Sequence, residues 1–385
     1  MRIAGQDYRS IWIDDATGDL RIIDQTELPH RFEIRTLADV SSAAEAIRTM
    51  RVRGAPLIGA TAAHGMALAL ARDASDESLS CVREELIATR PTAINLRWAI
   101  DRVTEVVSGI PVGERAEAAR NEAIEICDED VACCEAIGNH GLAILEGLAE
   151  SKAGGPIQIL THCNAGWLAT VDWGTALAPI YKAHAAGLGL HIWVDETRPR
   201  NQGSRLTAFE LREQGIPHTV IVDNAGGHLM QRGLVDAVFV GSDRTTASGD
   251  VCNKIGTYLK ALSADANDVP FYVALPLSSI DWSIENGLED IPIEERSPSE
   301  VRELTGLDDA GQVARVSLFP EASGAANPAF DVTPARYVTG LLTEYGLCGA
   351  DRESLTKLRF KQTHQHSIRN PSQRRLHPRP EDSNV

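Results

Sequence analysis

The sequence predicts an α/β protein, with a mainly helical N-terminal domain that begins with a small β-hairpin and a C-terminal domain built on a parallel sheet. Two observations lead to this fold class. Residues 78–150 are rich in Ala, Glu and Leu at helical spacing, whereas after residue 156 short β-rich runs alternate with helix-like segments. Such alternation indicates right-handed βαβ units, whose strands lie parallel and are covered on both faces. A length of 385 residues also suits two domains better than one.

The N-terminal domain is predicted to start with a hairpin and then to become helical. Two apolar runs at 8–13 and 20–23 flank a stretch rich in Asp and containing Gly, which predicts two strands joined by a longer turn. Ser42 followed by Glu45 matches a capping box. We therefore expect the first helix to begin at Ser42.

A second helix is predicted directly after the first. Gly54 is the expected end of the first helix, and Pro56 suits the first turn of the next. The stretch 56–71 is the most apolar of the chain, yet its 16 residues fall short of the roughly 20 needed to cross a bilayer. We therefore expect a buried helix and no membrane span.

The C-terminal half alternates five β-rich runs with four helix-like segments. The runs lie at 157–162, 191–195, 218–223, 237–241 and 271–275. The helix-like segments lie at 166–186, 204–214, 228–232 and 253–264. Three units follow: a helical domain over 1–130, a parallel-sheet catalytic domain over 131–350, and a tail over 351–385. The tail has six large apolar residues among 35, too few to form a core, so we expect it to be disordered.

The charge of the chain is strongly negative and unevenly distributed. The net charge is −17, although the last 35 residues hold eight Lys or Arg against four Asp or Glu. An acidic body repels phosphate backbones and anionic lipid, which disfavours nucleic-acid and membrane partners. The N-terminus lacks the apolar core of a signal peptide, and the seven cysteines show neither CxxC nor regular spacing. These features predict a cytoplasmic protein without a disulfide framework or zinc site.

The candidate site lies where the predicted strands end, because ligands of open parallel sheets bind beyond the carboxyl ends of the strands. The segments that follow the runs are 161–164, 195–198, 223–224 and 242–244. Cys163 and three carboxylates would then share one rim and supply acid/base chemistry. Cys163 also precedes a predicted helix, whose N-terminal dipole would lower the pKa of the thiol. The alternatives are that the acids cap helices and that Cys163 is a small buried hydrophobe.

Three basic segments at predicted helix starts have the features of anion sites. Arg51 and Arg53 precede Gly54, where approachable backbone N–H groups suit phosphate, although these arginines would equally offset the dipole of the preceding helix. Arg90 stands at another predicted start. Lys254 falls in a predicted first turn, where a cation opposes the macrodipole unless an anion binds. Neither GxxxxGK[ST] nor a GxGxxG after a predicted strand occurs, so the residues indicate a small phosphorylated substrate rather than a nucleotide.

Seven blocks of the sequence resemble the methylthioribose-1-phosphate isomerase family, with matching order and spacing over residues 5–348. The blocks are MRVRGAPLIGATAAHG (50–65), RPTAINLRWA (90–99), ILTHCNAGWLATVDWGTAL (159–177), VDETRPRNQGSRLTAFEL (194–211), DNAGGHLM (223–230), VGSDRTTASGDVCNKIGTY (240–258) and NPAFDVTP (327–334). The resemblance implies a Rossmann-like C-terminal domain and a homodimer. It also implies aldose–ketose isomerisation of 5-methylthioribose 1-phosphate in methionine salvage, without a cofactor.

The resemblance assigns residues to the site. Cys163 matches the active-site thiol of the family, and Asp243 matches its acid. The residues that match substrate-binding positions are Arg53, Gly54, Ala55, Arg90, Gln202, Asn253 and Lys254. No metal ligand is implied.

Two routes for the reaction follow from this assignment. In the first, a protonated Asp243 donates to the ring oxygen while a Cys163 thiolate removes the proton from C2. In the second, ring opening gives an oxocarbenium-type species, and a hydride shifts from C2 to C1 while Cys163 stabilises charge. Two other functions stay open. One is an isomerase for 5-deoxyribose 1-phosphate or ribose 1,5-bisphosphate, and the other is a non-catalytic regulatory subunit of an initiation-factor-like assembly.

Overall fold

The structure, a computed structural model, describes residues 1–91 and 93–369 and confirms the α/β class. The N-terminal strands form two small antiparallel units. The first contains β1 (Arg2–Ile3) and β2 (Gln6–Asp7), and the second contains β3 (Ile11–Ile13), β4 (Leu20–Ile23) and β5 (Ile34–Leu37). The predicted hairpin is thus present as β3 and β4.

Five helices follow these strands. They are α1 (Val40–Arg48), α2 (Ala55–Leu70), α3 (Asp76–Ile87), α4 (Ile94–Ser108) and α5 (Arg115–Ser151). The predicted start of α1 is wrong by a few residues, because Asp39 is the N-cap: its carboxylate accepts the N–H of Ser42 at 2.8 Å. The predicted end is also wrong, since α1 ends at Arg48 and Gly54 instead precedes α2.

Helix α2 is the centre of the N-terminal core. Fourteen of its 16 residues are buried, and it packs against α1, α3, α4 and α5. A helix that is apolar on all sides requires neighbours on all sides, so the prediction of a buried helix is confirmed. Within the described ranges, no helix has both the length and the apolar character required to cross a membrane.

The C-terminal part is built on a seven-stranded sheet and two smaller sheets. Its strands are β6 (Ile157–Thr161), β7 (Leu190–Asp195), β8 (His218–Ile221), β9 (Ala237–Val240), β10 (Arg244–Thr246), β11 (Val251–Lys254), β12 (Phe271–Ala274), β13 (Ile280–Asp281), β14 (Glu303–Leu307), β15 (Val313–Ser317), β16 (Phe330–Thr333), β17 (Gly340–Thr343) and β18 (Gly346–Cys348). Its helices are α6 (Ala178–Ala185), α7 (Ala208–Glu213), α8 (Ala225–Gln231), α9 (Thr257–Asp265), α10 (Gly287–Asp290), α11 (Ser299–Arg302) and α12 (Arg352–Arg369).

The order of strands in the large sheet is β18-β17-β12-β9-β6-β7-β8. All pairs are parallel except β17 with β18. The chain runs outward from β6 to β8 on one side, then returns to the centre and runs outward again from β9. This is the strand order of a Rossmann-like sheet, and β6 and β9 flank its topological switch point.

A four-stranded sheet of order β13-β10-β11-β16 lies in sequence between strands of the large one. The predicted helix over 253–264 is therefore wrong in its first turn. Residues 251–254 form β11, which pairs with β10 and with the distant β16, and α9 begins only at Thr257. Lys254 accordingly ends a strand and does not lie in the first turn of a helix.

Helix α5 connects the two parts of the chain. Ile126 packs in the core of the N-terminal helices, whereas Ile137 packs in the core beside the large sheet. The domain boundary predicted between residues 130 and 131 falls inside this continuous helix. The exact boundary therefore stays a prediction.

The expectation of disorder after residue 350 is wrong for the first part of the tail. Residues 352–369 form α12, and its Leu355 and Leu358 are buried against the same cluster as Phe271 and Leu341. Two well-placed leucines one turn apart are enough to dock a helix onto an existing core, even when its composition is polar. Residues 370–385 lie outside the described ranges.

Candidate active site

Cys163 and Asp243 follow the two strands that flank the switch point. Cys163 comes just after β6 and Asp243 just after β9, and both line one cleft at the carboxyl edge of the sheet. The start of α2 forms part of the opposite wall, through Gly54 and Ala55. The cleft therefore joins the helical part to the sheet where ligands of such sheets bind.

The backbone at Cys163 is held in an unusual conformation. Its φ is +68°, in the left-handed region that non-glycine residues rarely adopt. Two threonines fix it: the N–H of Cys163 donates to Thr197 Oγ1 at 2.9 Å, and Thr207 Oγ1 donates to the carbonyl of Cys163 at 2.8 Å. Strained residues that their surroundings hold in place are typical of functional sites.

The thiol of Cys163 is buried, and burial raises its pKa, although the positive charges of Arg53 and Lys254 partly oppose this effect. The prediction that a helix dipole lowers this pKa is wrong. The residues after Cys163 form only a short 3₁₀ turn, Trp167–Ala169, and α6 begins at Ala178. The sequence of 166–186 is apolar enough for a helix, but residues 170–177 form a loop, of which Thr170 and Thr175 line the cleft.

The start of α2 requires the glycine at position 54. Gly54 has a φ of +95°, and a Cβ there would lie 2.3 Å from the carbonyl oxygen of Ala169. No side chain of the described residues caps the first turn of α2, so its N–H groups and the positive end of the helix dipole lie beside the cleft. This arrangement suits an anion.

Arg53 is fixed by a buried polar network. Its guanidinium donates to Asn164 at both the side-chain oxygen, 2.5 Å away, and the carbonyl, 2.8 Å away. Asn164 in turn donates to Glu210, which also accepts the N–H groups of Trp167 and Leu168. Burial raises the pKa of Glu210, and these donors oppose that rise. Sequence reasoning placed Asn164 in the strand-end segment 161–164 without assigning it a role, and it assigned no role to Glu210.

Lys254 and Asn253 reach the site from β11. The ammonium of Lys254 donates to the carbonyl of Ala329 at 2.6 Å and lies 4.4 Å from the centroid of the Phe330 ring. Burial lowers the pKa of Lys254, while the nearby Cys163 and Asp243 raise it. Asn253 lines the cleft and donates to Thr257 Oγ1 at 3.0 Å.

Arg90 lines an adjoining cleft, which shares Ala55 and Asp243 with the first. One of its terminal nitrogens donates to Glu294 at 3.0 Å, while its buried Nε has no partner in the described part of the chain. Arg51, the other arginine of the predicted anion segment, is instead paired with Asp24 and Glu45 on the helical part. Thr92 of the Arg-Pro-Thr block lies outside the described residues.

Gln202, like Lys254, is a matched residue that lines neither cleft. It is buried at the start of a π-helical turn, Gly203–Thr207, and its Oε1 has no partner among the described residues. Its loop contacts the site indirectly, since Thr197 and Thr207 on the same segment hold Cys163. A role of Gln202 in substrate binding stays a prediction.

One cluster has the residue types of a metal site. The ligand atoms of His162, Asp195 and Asp223 lie within 4.8 Å of one another. These atoms are already engaged, however: Asp195 pairs with His162 and with the ammonium of Lys260, and the Asp223 carboxylate accepts two backbone N–H groups. An ammonium group bound to Asp195 repels a metal cation that would use the same carboxylate.

The site is a Rossmann-like sheet with a thiol and a carboxylate at its switch point. These two groups face a wall that carries Arg53 and the start of α2, which we call the cationic wall. This arrangement agrees with the family that the chain matches. The model of the initiation factor 2 subunit family matches residues 51–349, and the chain belongs to that family.

Curated relatives within the family carry the name of an enzyme. The chain is 61% identical over 358 residues to the methylthioribose-1-phosphate isomerase of Methylorubrum populi, which covers 93% of this chain and 98% of the relative. It is 60% identical over 356 residues to the protein of the same name from Methylocella silvestris, and the alignment covers 92% of this chain and 97% of that relative.

Solved structures with this fold carry two different names. The 5-methylthioribose 1-phosphate isomerase of Pyrococcus horikoshii superposes with a TM-score of 0.78 at 39% identity, covering 92% of this chain and 97% of that one. The second is a protein of A. fulgidus described as the translation initiation factor eIF-2B, subunit delta. It superposes with a TM-score of 0.74 at 38% identity, and the superposition covers 91% of this chain and 100% of that one.

Proposed function

We propose that this chain catalyses the aldose–ketose isomerisation of 5-methylthioribose 1-phosphate to 5-methylthioribulose 1-phosphate in methionine salvage. The observation that carries the proposal is the meeting of Cys163 and Asp243 in one cleft, beside the uncapped start of α2. A scaffold subunit has no need for a thiol and an acid at the two strand ends of a switch point. The names of relatives about 60% identical to the chain support the same activity.

The phosphate end of the substrate is best placed against the cationic wall. Arg53 and the first turn of α2 line the cleft, and the ammonium of Lys254 is close enough to Cys163 to oppose the rise in the pKa of its thiol. Arg90 contributes a buried Nε without a partner in the described residues, a donor that a ligand oxygen would satisfy. Asn253 adds a neutral amide to the same wall.

The other end of the substrate is best uncharged. The adjoining cleft is lined mainly by apolar side chains, including Ile58, Ile291 and Phe330. The two arginines of this cleft are paired with carboxylates, Arg90 with Glu294 and Arg244 with Asp281. Two further arginines are engaged elsewhere: Arg198 donates to the carbonyls of Pro199 and Val301, and Arg205 donates to those of Thr26 and Leu28. A methylthio group fits this wall better than the second phosphate of ribose 1,5-bisphosphate.

The chemistry must open the sugar ring without breaking the phosphoester. Asp243 donates a proton to the ring oxygen, and a substrate that fills the cleft displaces water from the intermediate. Cys163 then either removes the C2 proton as thiolate and returns a proton to C1, or stabilises charge while hydride moves from C2 to C1. In both routes the C2 hydroxyl gives its proton to the Asp243 carboxylate as the ketone forms. Reaction in D₂O separates these routes, because only the proton transfer introduces deuterium at C1 of the ketose.

The test is conversion of 5-methylthioribose 1-phosphate by purified protein, followed by the appearance of the ketose phosphate. Asp243→Asn and Cys163→Ser are each expected to lower kcat by at least about 100-fold, because each removes a group that touches the reacting atoms. The matched control is Cys81→Ser, which changes an exposed cysteine of α3. Wild-type turnover by a folded Asp243→Asn variant would contradict the proposal.

The proposal extends to assembly and location. We infer a homodimer in the cytoplasm, in which the substrate is a small phosphorylated sugar and neither nucleic acid nor membrane is a partner. The acidic net charge of −17 supports the exclusion of polyanionic partners. A regulatory subunit would instead co-purify with a larger assembly and show no turnover.

A further inference from the structure

His162 lies at the centre of a buried network directly before the candidate thiol. Its Nδ1 is 2.8 Å from Asp195 Oδ2, and its Nε2 is 2.8 Å from the carbonyl oxygen of Ile255. The ammonium of Lys260 is 2.9 Å from the same oxygen of Asp195. His162, Asp195 and Lys260 are each at most 3% exposed.

The partners of His162 determine which of its ring nitrogens carry protons. A backbone carbonyl only accepts hydrogen bonds, so Nε2 must donate to Ile255. The Asp195 oxygen already accepts from the ammonium of Lys260, which favours an ionised carboxylate, so Nδ1 donates to it as well. Both nitrogens are then donors, which makes the ring an imidazolium.

The network connects the two segments that carry site residues. On one side the ring belongs to the residue before Cys163, and on the other it holds Ile255, the residue after Asn253 and Lys254. Gly256 packs against the ring so closely that a Cβ there would lie 2.9 Å from it. The N–H of Gly256 is in turn bound by Asp331 at 2.7 Å. The end of β11 therefore has little freedom to move relative to the end of β6.

We propose that His162 is a positioning residue, which as an imidazolium held by Asp195 and Lys260 fixes the Asn253–Lys254 segment opposite Cys163 for binding of the substrate phosphate. This inference rests on the proposed function for the identity of the substrate. The anion-binding part is independent of turnover. The ring also lines the cleft, so its charge adds to the cationic wall.

The first measurement uses the unaltered protein. Nitrogen-15 NMR of the histidine rings at neutral pH is expected to show both ring nitrogens of His162 protonated, with the assignment made by loss of its signals in His162→Gln. A single unprotonated nitrogen at His162 would overturn the proposal. The protonation state is read from the wild-type protein, and His162→Gln serves only for the assignment, which holds when the signals of the other histidines stay in place.

The second measurement is titration with inorganic phosphate. His162→Gln is expected to raise the Kd for phosphate by about tenfold or more. The loss of alignment should also lower kcat/KM by about 100-fold, with most of the change in KM. The matched control is His191→Gln on β7, because both of its ring nitrogens bind neutral groups, Gln158 and Thr219, away from the cleft. Wild-type phosphate affinity in a folded His162→Gln variant would overturn the proposal.

The two proposals fail in different ways. Protein that binds phosphate through His162 but does not isomerise 5-methylthioribose 1-phosphate would support the positioning role and contradict the proposed function. Isomerisation by the wild type, together with unchanged activity and phosphate affinity in His162→Gln, would support the proposed function and contradict the positioning role.

Discussion

At the scale of single residues, the resting state of Cys163 is the central chemical question. Burial raises the pKa of its thiol, and the positive charges of Arg53 and Lys254 oppose that shift only in part. The resting residue is therefore a neutral thiol at neutral pH. A proton-transfer route must form the thiolate after the substrate binds, whereas a hydride shift needs no thiolate.

We expect alkylation of Cys163 by iodoacetamide to keep accelerating as pH rises beyond the range in which ordinary cysteines reach their plateau, because only the thiolate reacts. Peptide mapping by mass spectrometry gives the rate at each pH, with the exposed Cys81 as the internal reference. The shape of the profile is compared, since burial lowers the absolute rate. If the alkylation rate of Cys163 reached its plateau at a lower pH than that of Cys81, Cys163 would be the more easily ionised thiol, and this account would be contradicted.

At the scale of secondary-structure elements, the hairpin and five strands of the large sheet were predictable from the sequence, whereas the strands of the smaller C-terminal sheets and the local geometry of the site were not. Runs such as 157–162 and 237–241 are short, apolar and rich in β-branched residues, and they form β6 and β9 because fully buried parallel strands require that composition. The rule that ligands bind beyond strand ends then located Cys163 and Asp243.

The errors have a common physical cause, which is contact between distant parts of the chain. Lys254 was expected in a helix, but β11 pairs with β16, about 80 residues further along, and that pairing leaves no local signal. The network of Arg53, Asn164 and Glu210 likewise joins residues far apart in sequence. Composition alone also misjudged α12, because two leucines that meet an existing core outweigh many polar neighbours.

The docking of α12 gives a prediction for the element. Leu355→Ala is expected to lower the free energy of unfolding by about 2–5 kcal/mol, because Leu355 is fully buried and its truncation leaves a cavity. Urea denaturation measures the difference. Leu259→Ala on α9, where the leucine is 62% exposed, is the control and should lower the free energy of unfolding far less. Equal stability of Leu355→Ala and the wild type would show that α12 does not contribute to the core.

At the scale of the whole molecule, the active site depends on the seam between the helical part and the sheet. The cleft combines Gly54 and Ala55 at the start of α2 with Cys163 and Asp243 at the sheet edge, so neither part forms it alone. The net charge of −17 gives the substrate no long-range attraction, and the cations that face the cleft act only at short range. The stability of the helical core is therefore a condition of activity.

That core is expected to weaken in mild acid through His64. Burial lowers the pKa of His64 from 6.5 to about 4, so the folded state resists protonation that the unfolded state accepts. The stability contributed by neutral His64 is complete above pH 6.5 and is lost as pH falls toward 4. By pH 5 the free energy of unfolding should fall by about 2 kcal/mol from this residue.

Urea denaturation at pH 7 and pH 5 tests this expectation, since His64→Gln should reduce the difference between the two. His140→Gln, which changes an exposed histidine of α5, is the control and should leave the difference as in the wild type. An unchanged acid sensitivity in His64→Gln would place its origin in other groups.

The most direct test of the account compares three substrates with purified full-length protein: 5-methylthioribose 1-phosphate, its 5-deoxy analogue and ribose 1,5-bisphosphate. Phosphorus-31 NMR follows the conversion of each aldose phosphate to its ketose. We predict the highest kcat/KM for the methylthio substrate, about tenfold above the 5-deoxy analogue and at least about 100-fold above the bisphosphate, because the apolar wall cannot compensate a buried phosphate. Equal or faster turnover of ribose 1,5-bisphosphate, or no turnover of the methylthio substrate, would contradict the central claim.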